Sequence, residues 1–516
     1  MQDDVADLIR AAGVGGRPLR EAVVQLTEDP APDLSSLIGA TALPRRIVEE
    51  LLAAVGEDLV RDGAKLGIRP AHAESYRHRF ADPPTERGPL IATMAAYIKA
   101  APPPLPGWDH VAATPETVAA RAWWLDGTFD LAGAHVLCVG DHDLTSLALR
   151  AVNQDVTVTV VDVDERVLEY LDQHGIRCLY GDLRLGLPPE ATEVADLVFT
   201  DPPYTPEGVS LFLTRGLQGL RDREHGRLML AYGYGPHQPA LGLKVQQAIG
   251  RLQVAIAAIL PQFNRYDGAE AIGGHSDLYV LQPTAGTWKN LEQGPLTIYT
   301  HGSQSVEASV PALDGQVAAA LLQAAAGPEK LKVALVIGES DLDGRPHMGL
   351  GPLMRHGIPA NMAPRTPFAV ALDLSADPGP WLARALLATN ATRLAILVPN
   401  AHPDLVSEAA QRALTDLVSA KYALRLRRSF PESRYAVVEA TATAGSTAAG
   451  LVLERAHGKV ANSWREGLIR EGRVATKNEA RAVIGGTARR PELLDTSPMS
   501  LPRHQLVDLI GQLTDG

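Results

Sequence analysis

The sequence contains few cysteines, no apolar run of the signal-peptide type in its first residues, and no long uninterrupted apolar run elsewhere. Its two cysteines, Cys138 and Cys178, lie inside apolar strand-like segments, a pattern that indicates neither a disulfide framework nor a zinc site. The first residues, "MQDDVADLIRAAG", are acidic, and no apolar stretch approaches the length needed to cross a bilayer. These absences predict a cytoplasmic protein without a membrane partner.

Clustered positive charge is also missing. The chain has 48 lysines and arginines against 60 aspartates and glutamates, a formal net charge of −12. Neutralising the phosphates of a nucleic acid requires clustered basic side chains, so we do not expect a nucleic-acid partner. An acidic balance agrees instead with a cationic ligand, although it also serves solubility.

The length of 516 residues exceeds what one hydrophobic core usually organises, and the pattern along the chain divides it into five segments. They are a winged-helix-like module (1–85), a proline-rich linker (86–110), a Rossmann-like catalytic domain (111–283), a degenerate Rossmann-like domain (284–445) and a helical C-terminal tail (446–516).

The first segment has the element order of a winged helix, namely short helices followed by a small ribbon. Its candidate recognition helix carries Arg45 and Arg46 but also Glu49 and Glu50, so it is locally neutral. A DNA reader needs a positive face at this helix, and we therefore favour a packing or dimerisation role. The stretch "KAAPPPLPG" that follows predicts a semi-rigid connection.

The catalytic segment predicts an α/β fold with a doubly wound sheet. Five near-continuous apolar runs alternate with helical segments, which is typical of parallel strands covered on both faces. Two further strands, "VAIAAILPQ" and "DLYVLQP", are interpreted as an antiparallel hairpin at one edge. In such sheets the ligand binds beyond the carboxyl ends of the strands.

A weaker second copy of this pattern begins near residue 331. "LKVALVIGESDLDG" resembles "AHVLCVGDHDLTS", and the spacing suggests that Asp377 corresponds to Asp201. The copy is too short to contain the second strand with its acidic tip, so we interpret it as scaffold. The sequence is compatible with a homodimer. Alternatively, the internal copy takes the place that the partner subunit of a homodimer would occupy.

Carboxylates follow four successive strands of the catalytic segment. Aspartate caps turns and helices, so one such residue carries little information, whereas acids after four parallel strands line one edge of the sheet. We therefore predict a ligand site formed by these acids: Asp141 and Asp143 after the first strand, Asp162 after the second, Asp182 after the third and Asp201 after the fourth.

The roles of these acids follow from their positions. Asp162 lies where an acid accepts the hydroxyl groups of a ribose, and Asp182 is a candidate acceptor for an adenine amino group. The first loop, "GDHDLTS", has Gly140 but also two acids, where a cofactor carboxylate would normally meet glycine amides. This loop favours a cofactor without a carboxylate, a polyamine, or both; no metal site is predicted.

The motif "DPPY", residues 201–204, predicts a site for an amine. Pro202 and Pro203 remove backbone N–H donors, which leaves acceptors around one donor nitrogen, and Tyr204 offers a flat face. A carboxylate, Asp201 or Asp143, would orient the amine and accept its proton. The remaining substrate-site candidates are Glu207 and Asp277, for which solvent exposure is an equal alternative to holding distal ammonium groups.

Together, "ATPETVAARA", "VLCVGDHDLTSLAL", "VTVVDVDERVLEYL", "YGDLR", "FTDPPYTPEG" and "SDLYVL" resemble the branched-chain polyamine synthases, the N(4)-bis(aminopropyl)spermidine synthases, over about residues 1–283. The resemblance implies transfer of aminopropyl groups from decarboxylated S-adenosylmethionine to spermidine. By this resemblance, the family's glycine and three acids correspond to residues 140–143. Because His142 stands where the family has an acid, the identity of the acceptor amine stays open.

The resemblance therefore implies an aminopropyltransferase that makes a branched polyamine and methylthioadenosine, without a metal. The alternative is an S-adenosylmethionine-dependent amino-methyltransferase acting on a small amine or a nucleic-acid base, because "DPPY" also occurs in that group. The acidic first loop argues against this alternative. A third hypothesis is a transcription regulator whose sheet senses a polyamine.

Overall fold

The computed structural model of the chain describes residues 2–28, 31–81, 88–235, 237–268, 274–289, 313–338, 344–443 and 447–515. Within these ranges, none of the helices combines the length and the apolar character that a membrane crossing requires.

The N-terminal module has a core of its own. The core is built from helices that come before and after a two-stranded antiparallel hairpin in the sequence. On α4 the ion pairs Arg45–Glu49 (2.8 Å) and Arg46–Glu50 (3.0 Å) balance the charge of the candidate recognition helix. The winged-helix class itself stays a prediction. The elements are α1 (Gln2–Ala11), α2 (Arg17–Gln25), α3 (Leu34–Thr41), α4 (Arg45–Val55), β1 (Leu59–Asp62), β2 (Lys65–Ile68) and α5 (Pro70–Phe80).

The segment predicted as a proline-rich linker differs from that expectation. Its first two residues, 86 and 87, lie outside the described residues, but α6 (Gly88–Ala100) is a helix whose Leu90 and Met94 are buried in the core of the catalytic domain. The run "GPLIATMAAYIKA" has this apolar content because it packs there. Residues 101–105, which include three prolines, lack regular secondary structure, and Pro106 begins a short 3₁₀ helix (Pro106–Trp108).

The catalytic domain is a Rossmann-like three-layer structure with an eight-stranded sheet. Its order is β6-β5-β4-β7-β8-β10-β9-β3, with β4 to β8 parallel and β10 antiparallel to both β8 and β9. The predicted edge hairpin is therefore confirmed, and β3 is an additional strand. The elements are β3 (Ala112–Ala113), α7 (Pro115–Thr128), β4 (His135–Val139), α8 (Thr145–Val152), β5 (Thr157–Asp162), α9 (Glu165–Gln173), β6 (Arg177–Tyr180), β7 (Leu197–Thr200), α10 (Pro206–Gly219), β8 (Arg227–Tyr232), α11 (Pro239–Arg251), β9 (Ala255–Asp267) and β10 (His275–Gln282).

A second, six-stranded sheet forms the C-terminal domain. Most of the segment that connects the two sheets, residues 290–312, lies outside the described residues, as do residues 339–343 of the repeated motif. The elements are α12 (Gly315–Ala326), β11 (Val333–Ile337), β12 (His347–Met348), α13 (Leu350–His356), β13 (Ala369–Asp373), α14 (Trp381–Ala388), β14 (Arg393–Pro399), α15 (Glu408–Val418), β15 (Tyr422–Arg428), β16 (Tyr435–Ala442), α16 (Ala448–Glu454), α17 (Val460–Arg470), α18 (Lys477–Thr487) and α19 (Arg503–Asp515).

The order of the second sheet, β12-β11-β13-β14-β16-β15, repeats that of β5-β4-β7-β8-β10-β9 with the same strand directions. The two-residue β12 stands where β5 stands, which accounts for the shorter spacing in the sequence. The strand registers pair Thr200 with Val139 and Leu372 with Ile337, so the counterpart of Asp201 is Asp373 and the assignment to Asp377 is wrong. Asp377 instead caps α14.

The helices after residue 446, interpreted from the sequence as a tail, share one core with this second sheet. Trp464 and Leu468 of α17 and Leu506 of α19 are buried in the same cluster as the strand residues. The segment is therefore an integral layer of the C-terminal domain, because its apolar side chains are buried in the same cluster as those of the strands.

Gly219, at the end of α10, brings that helix against the central strand β4. A Cβ atom there would lie 2.4 Å from Cδ2 of the fully buried Leu137. We expect Gly219→Ala to lower the free energy of unfolding by about 1–3 kcal/mol because the core has no free volume at this point. Gly127→Ala, on an exposed turn of α7 with open space around it, is the control and should be neutral or slightly stabilising in urea denaturation.

Candidate active site

A narrow cleft lies at the carboxyl ends of the central strands, at the edge where doubly wound sheets bind ligands. Three of the predicted acids, Asp162, Asp182 and Asp201, reach it. The cleft has a volume of about 40 Å³ and is lined by residues 108–110, Gly140, His142, residues 161–163, residues 181–184, Asp201, Pro203 and Phe212.

Gly140 and Asp162 both line the cleft. Gly140 ends β4 with a φ of +75°, a left-handed conformation that lets the backbone turn under the ligand site. The carboxylate of Asp162 is held by the backbone amides of Asp141 (3.0 Å) and Asp164 (2.8 Å), and burial raises its pKa. Its place at the tip of β5 agrees with the ribose role, which stays a prediction.

Asp141 does not face the cleft. Its carboxylate accepts the backbone amides of Thr145 (2.8 Å) and Ser146 (3.1 Å), the first two residues of α8. Burial raises the pKa of this carboxyl to about 7, against the opposing effect of the Ser146 amide. The positive end of the α8 dipole is thus occupied by a carboxylate of the chain itself.

The residue at the centre of the site, Arg121 of α7, was not predicted from the sequence. Its side chain is fully buried, and it donates to Asp143 Oδ2 (2.9 Å) and Asp201 Oδ2 (2.7 Å). The remaining N–H groups donate to Asn264 Oδ1 (2.8 Å), Thr145 Oγ1 (3.2 Å) and the Tyr266 hydroxyl (3.3 Å). The two acids expected around a positively charged ligand therefore converge first on an arginine of the protein.

Asp143 and Asp201 differ in their access to the cleft and in their protonation. Asp143 is 4% exposed and also accepts the Ala113 amide (2.8 Å); burial would raise its pKa, but His142 and Arg121 outweigh burial and keep the pKa below the usual range. Asp201 lines the cleft, and burial, opposed by Arg121, raises its pKa to about 6. Asp143 is a fixed counter-charge, whereas Asp201 is able to exchange a proton near neutral pH.

The tyrosine of the "DPPY" motif supplies one of two hydroxyl groups that contact Asp201. The Tyr204 hydroxyl lies 3.1 Å from Asp201 Oδ1 and 2.9 Å from the Tyr266 hydroxyl, which donates to Asp201 Oδ2 (2.7 Å). Pro202 and Pro203 are buried, and Pro203 lines the cleft. Tyr266, on β9, was not predicted because it lies 65 residues from Asp201 in the sequence.

Other predicted contacts are arranged differently. Asp182 accepts from the backbone N (3.0 Å) and Nε (2.8 Å) of Arg184 and from Trp381 Nε1 (2.7 Å), so its carboxylate is already engaged. Glu207 lies half-buried in the first turn of α10, and Asp277 accepts the Gln262 amide (2.8 Å) at the start of β10. The polyamine-binding roles of these last two stay predictions.

His142 stacks on His110, with ring centroids 4.4 Å apart and nearly parallel planes. Its Nε2 lies 3.0 Å from the Val111 carbonyl oxygen; burial lowers the pKa of His142, but Asp143 and other nearby carboxylates raise it overall above 6.5. Trp108 and His110, which lie in the predicted linker, therefore form part of the cleft wall. In the sequence, the signal for this role was the presence of aromatic side chains next to the prolines of the predicted linker.

The region of the chain that contains the cleft is similar to known proteins. Residues 89–311 match the profile described as the branched-chain polyamine synthase A C-terminal domain. An uncharacterized protein of Methanocaldococcus jannaschii is 38% identical over 170 residues, 32% of this chain and 42% of that protein. The N(4)-bis(aminopropyl)spermidine synthase of the same organism is 30% identical over 187 residues, 34% of this chain and 53% of that protein.

The synthase of the same name from Thermococcus kodakarensis is 29% identical over 239 residues, 42% of this chain and 64% of that protein. The chain thus aligns with between about two fifths and two thirds of these relatives. The crystal structure of the branched-chain polyamine synthase from Thermus thermophilus, in complex with N4-aminopropylspermidine and 5'-methylthioadenosine, is 21% identical, with a TM-score of 0.34 over 59% of this chain and 96% of that one. Through residues 89–311, the chain is similar to the branched-chain polyamine synthases.

Proposed function

We propose that the protein transfers an aminopropyl group from decarboxylated S-adenosylmethionine to an amine nitrogen of a polyamine such as spermidine. The nitrogen attacks the propyl carbon beside the sulfonium, the carbon–sulfur bond breaks, and methylthioadenosine leaves. The sulfonium is already a good leaving group, so the protein has to align the reactants and remove one proton from the nitrogen.

The observation that carries this proposal is the position of Asp141. Helix N-termini bind anions, and a cofactor carboxylate would need the first amides of α8. Those amides already bind the Asp141 carboxylate, at 2.8 Å and 3.1 Å. A cofactor carboxylate would therefore find these two amides occupied, whereas the decarboxylated cofactor has no carboxylate that needs them.

Asp201 is the proposed proton acceptor. It lines the cleft, the hydroxyl groups of Tyr204 and Tyr266 hold it in place, and its pKa of about 6 suits a base near neutral pH. Asp143 lies behind it and fixes Arg121. Asp162 is assigned to the ribose. The cleft volume of about 40 Å³ is well below the roughly 300 Å³ of small-molecule sites, so nucleoside binding requires the cleft to widen.

The products test this proposal directly. The protein is incubated with spermidine and equal amounts of decarboxylated and intact S-adenosylmethionine, and the polyamines are weighed by mass spectrometry. We expect products heavier by one or more aminopropyl groups, together with methylthioadenosine. Products heavier by methyl groups would establish the amino-methyltransferase instead.

The pH dependence tests the base. Protonation of Asp201 below pH about 6 removes the proton acceptor, so kcat/KM should fall about tenfold per pH unit below that value. The spermidine amines are already largely protonated in this range, and their neutral fraction also falls as the pH is lowered; NMR titration of spermidine gives this fraction, which is divided out. A profile that follows the amine titration alone would contradict the assignment of Asp201.

A further inference from the structure

The C-terminal domain packs on the edge of the catalytic sheet that would otherwise be open, beside strand β6 and helix α9. The backbone amide of Tyr180, on β6, donates to the Ser500 carbonyl oxygen (2.8 Å). Arg490 donates two hydrogen bonds of 2.7 Å to the carboxylate of Asp172 on α9, and Arg384 donates to Glu165 (2.6 Å). Leu185 of the catalytic domain is buried in the core of the C-terminal domain. The two domains therefore share a packed interface.

One contact of this interface reaches the cleft wall. Trp381, the first residue of α14, donates its indole N–H to Asp182 Oδ2 at 2.7 Å, and the two residues are 199 positions apart. The guanidinium of Arg184 lies 5.0 Å from the centre of the Trp381 ring. Trp381 is 4% exposed and Asp182 is 6% exposed, so water does not compete effectively for this bond.

Asp182 is part of a thin wall. Gly181 and Asp182 line the cleft on one side and, on the other, a cavity of about 510 Å³ between the two domains. Arg184 keeps the pKa of the Asp182 carboxyl below its usual range in spite of burial, so the carboxylate is charged. Asp182 Oδ2 accepts from both Trp381 Nε1 (2.7 Å) and Arg184 Nη2 (2.5 Å), so these two donors together fix the orientation of the carboxylate.

The position of Trp381 is itself well fixed. Its backbone amide (3.1 Å) and that of Leu382 (2.8 Å) donate to the carboxylate of Asp377. Asp377 is also 3.0 Å from His402 Nε2, and all of these groups are buried. The degenerate sheet therefore presents a rigid donor to the loop of the catalytic domain.

We infer that Trp381 is a positioning residue for the nucleoside site: the C-terminal domain, through its indole N–H, orients Asp182 in the wall against which the nucleoside of the co-substrate binds. This inference rests on the proposed function. It gives the second sheet a role in co-substrate affinity, while the chemistry stays with Asp201 and its neighbours.

The test is titration calorimetry of the full chain with methylthioadenosine, comparing the wild type with Trp381→Phe and Arg490→Gln. Trp381→Phe keeps an aromatic ring against Arg184 but removes the donor, and we expect the Kd to rise about tenfold. In steady-state assays, KM for decarboxylated S-adenosylmethionine should rise by a similar factor, with kcat and KM for spermidine unchanged.

Arg490→Gln is the matched control, because it removes two interface hydrogen bonds to Asp172 that lie away from the cleft. Its Kd for methylthioadenosine should stay within about twofold of the wild type. Equal affinity of the wild type and Trp381→Phe, tighter binding by Trp381→Phe, or equal weakening in both variants would overturn the role of Trp381 and leave the proposed function standing. Failure of the wild type to bind methylthioadenosine would overturn both.

Discussion

Asp201→Asn is expected to lower kcat by about 10²- to 10⁴-fold. The asparagine has nearly the same shape and keeps an oxygen that accepts a hydrogen bond from Tyr204 or Arg121, but it cannot take a proton from the attacking amine. The expected fall is large because Asp143, the other candidate base, is 4% exposed and is held by Arg121 and the Ala113 amide.

Two comparisons make the loss in Asp201→Asn interpretable. Asp155→Asn removes an exposed carboxylate at the opposite end of β5 and should leave kcat unchanged. Tyr204→Phe removes one donor to Asp201 and keeps the base, so its effect should be smaller than that of Asp201→Asn. If Asp143→Asn lost kcat while Asp201→Asn kept it, the two acids would have to exchange roles.

The second large effect concerns stability. Arg121→Met is expected to destabilise the catalytic domain by about 3–5 kcal/mol, because it leaves the carboxylates of Asp143 and Asp201 buried without their shared counter-charge. Arg121→Lys should be intermediate, since an ammonium cannot reproduce the fork of donors that contacts both acids and Asn264.

Urea denaturation measures this effect. The transition of the catalytic domain is identified as the one that methylthioadenosine shifts to higher urea. Arg251→Met, at an exposed position at the end of α11, is the control and should leave this transition unchanged. Adding Asp143→Asn and Asp201→Asn to Arg121→Met removes the uncompensated charges and should restore part of the lost stability. An unchanged transition in Arg121→Met would mean that the buried network contributes little.

Most strands of both sheets were predictable from the sequence because their apolar runs are local signals, whereas the two-residue strands β3 and β12 were not predicted. Parallel strands buried on both faces, such as β4 and β7, are continuous runs of apolar residues, and the acids at their tips follow directly in the chain. The repeated order of the second sheet also follows from local runs. The counterpart of Asp201 in the second sheet was wrongly placed at Asp377, because the sequence spacing after a shortened strand does not define the strand register.

The centre of the site was not predictable in the same way. Arg121 contacts Asp143 and Asp201, which lie 22 and 80 residues away, and no local pattern encodes such contacts. A signal was nevertheless present: Arg121 lies on the same helical face as Val118 and Leu125, both buried. A charged residue at an apolar position of a helix indicates a buried partner of opposite charge.

The partnership of Asp182 with Trp381 was equally hidden from the sequence, because the two residues belong to different domains. The isolated "YGDLR" motif suggests a free acceptor, whereas the folded chain gives this carboxylate donors from Arg184 and from the second sheet. Long-range packing thus changes what a motif can bind, and it does so through residues that carry no motif of their own.

A crystal structure of the chain with methylthioadenosine and spermidine would show where the amine and the nucleoside bind. We expect an amine nitrogen within hydrogen-bonding distance of Asp201 and facing the sulfur of the nucleoside, with the ribose on Asp162. A nitrogen bound away from Asp201, or a nucleoside outside this cleft, would contradict this expectation.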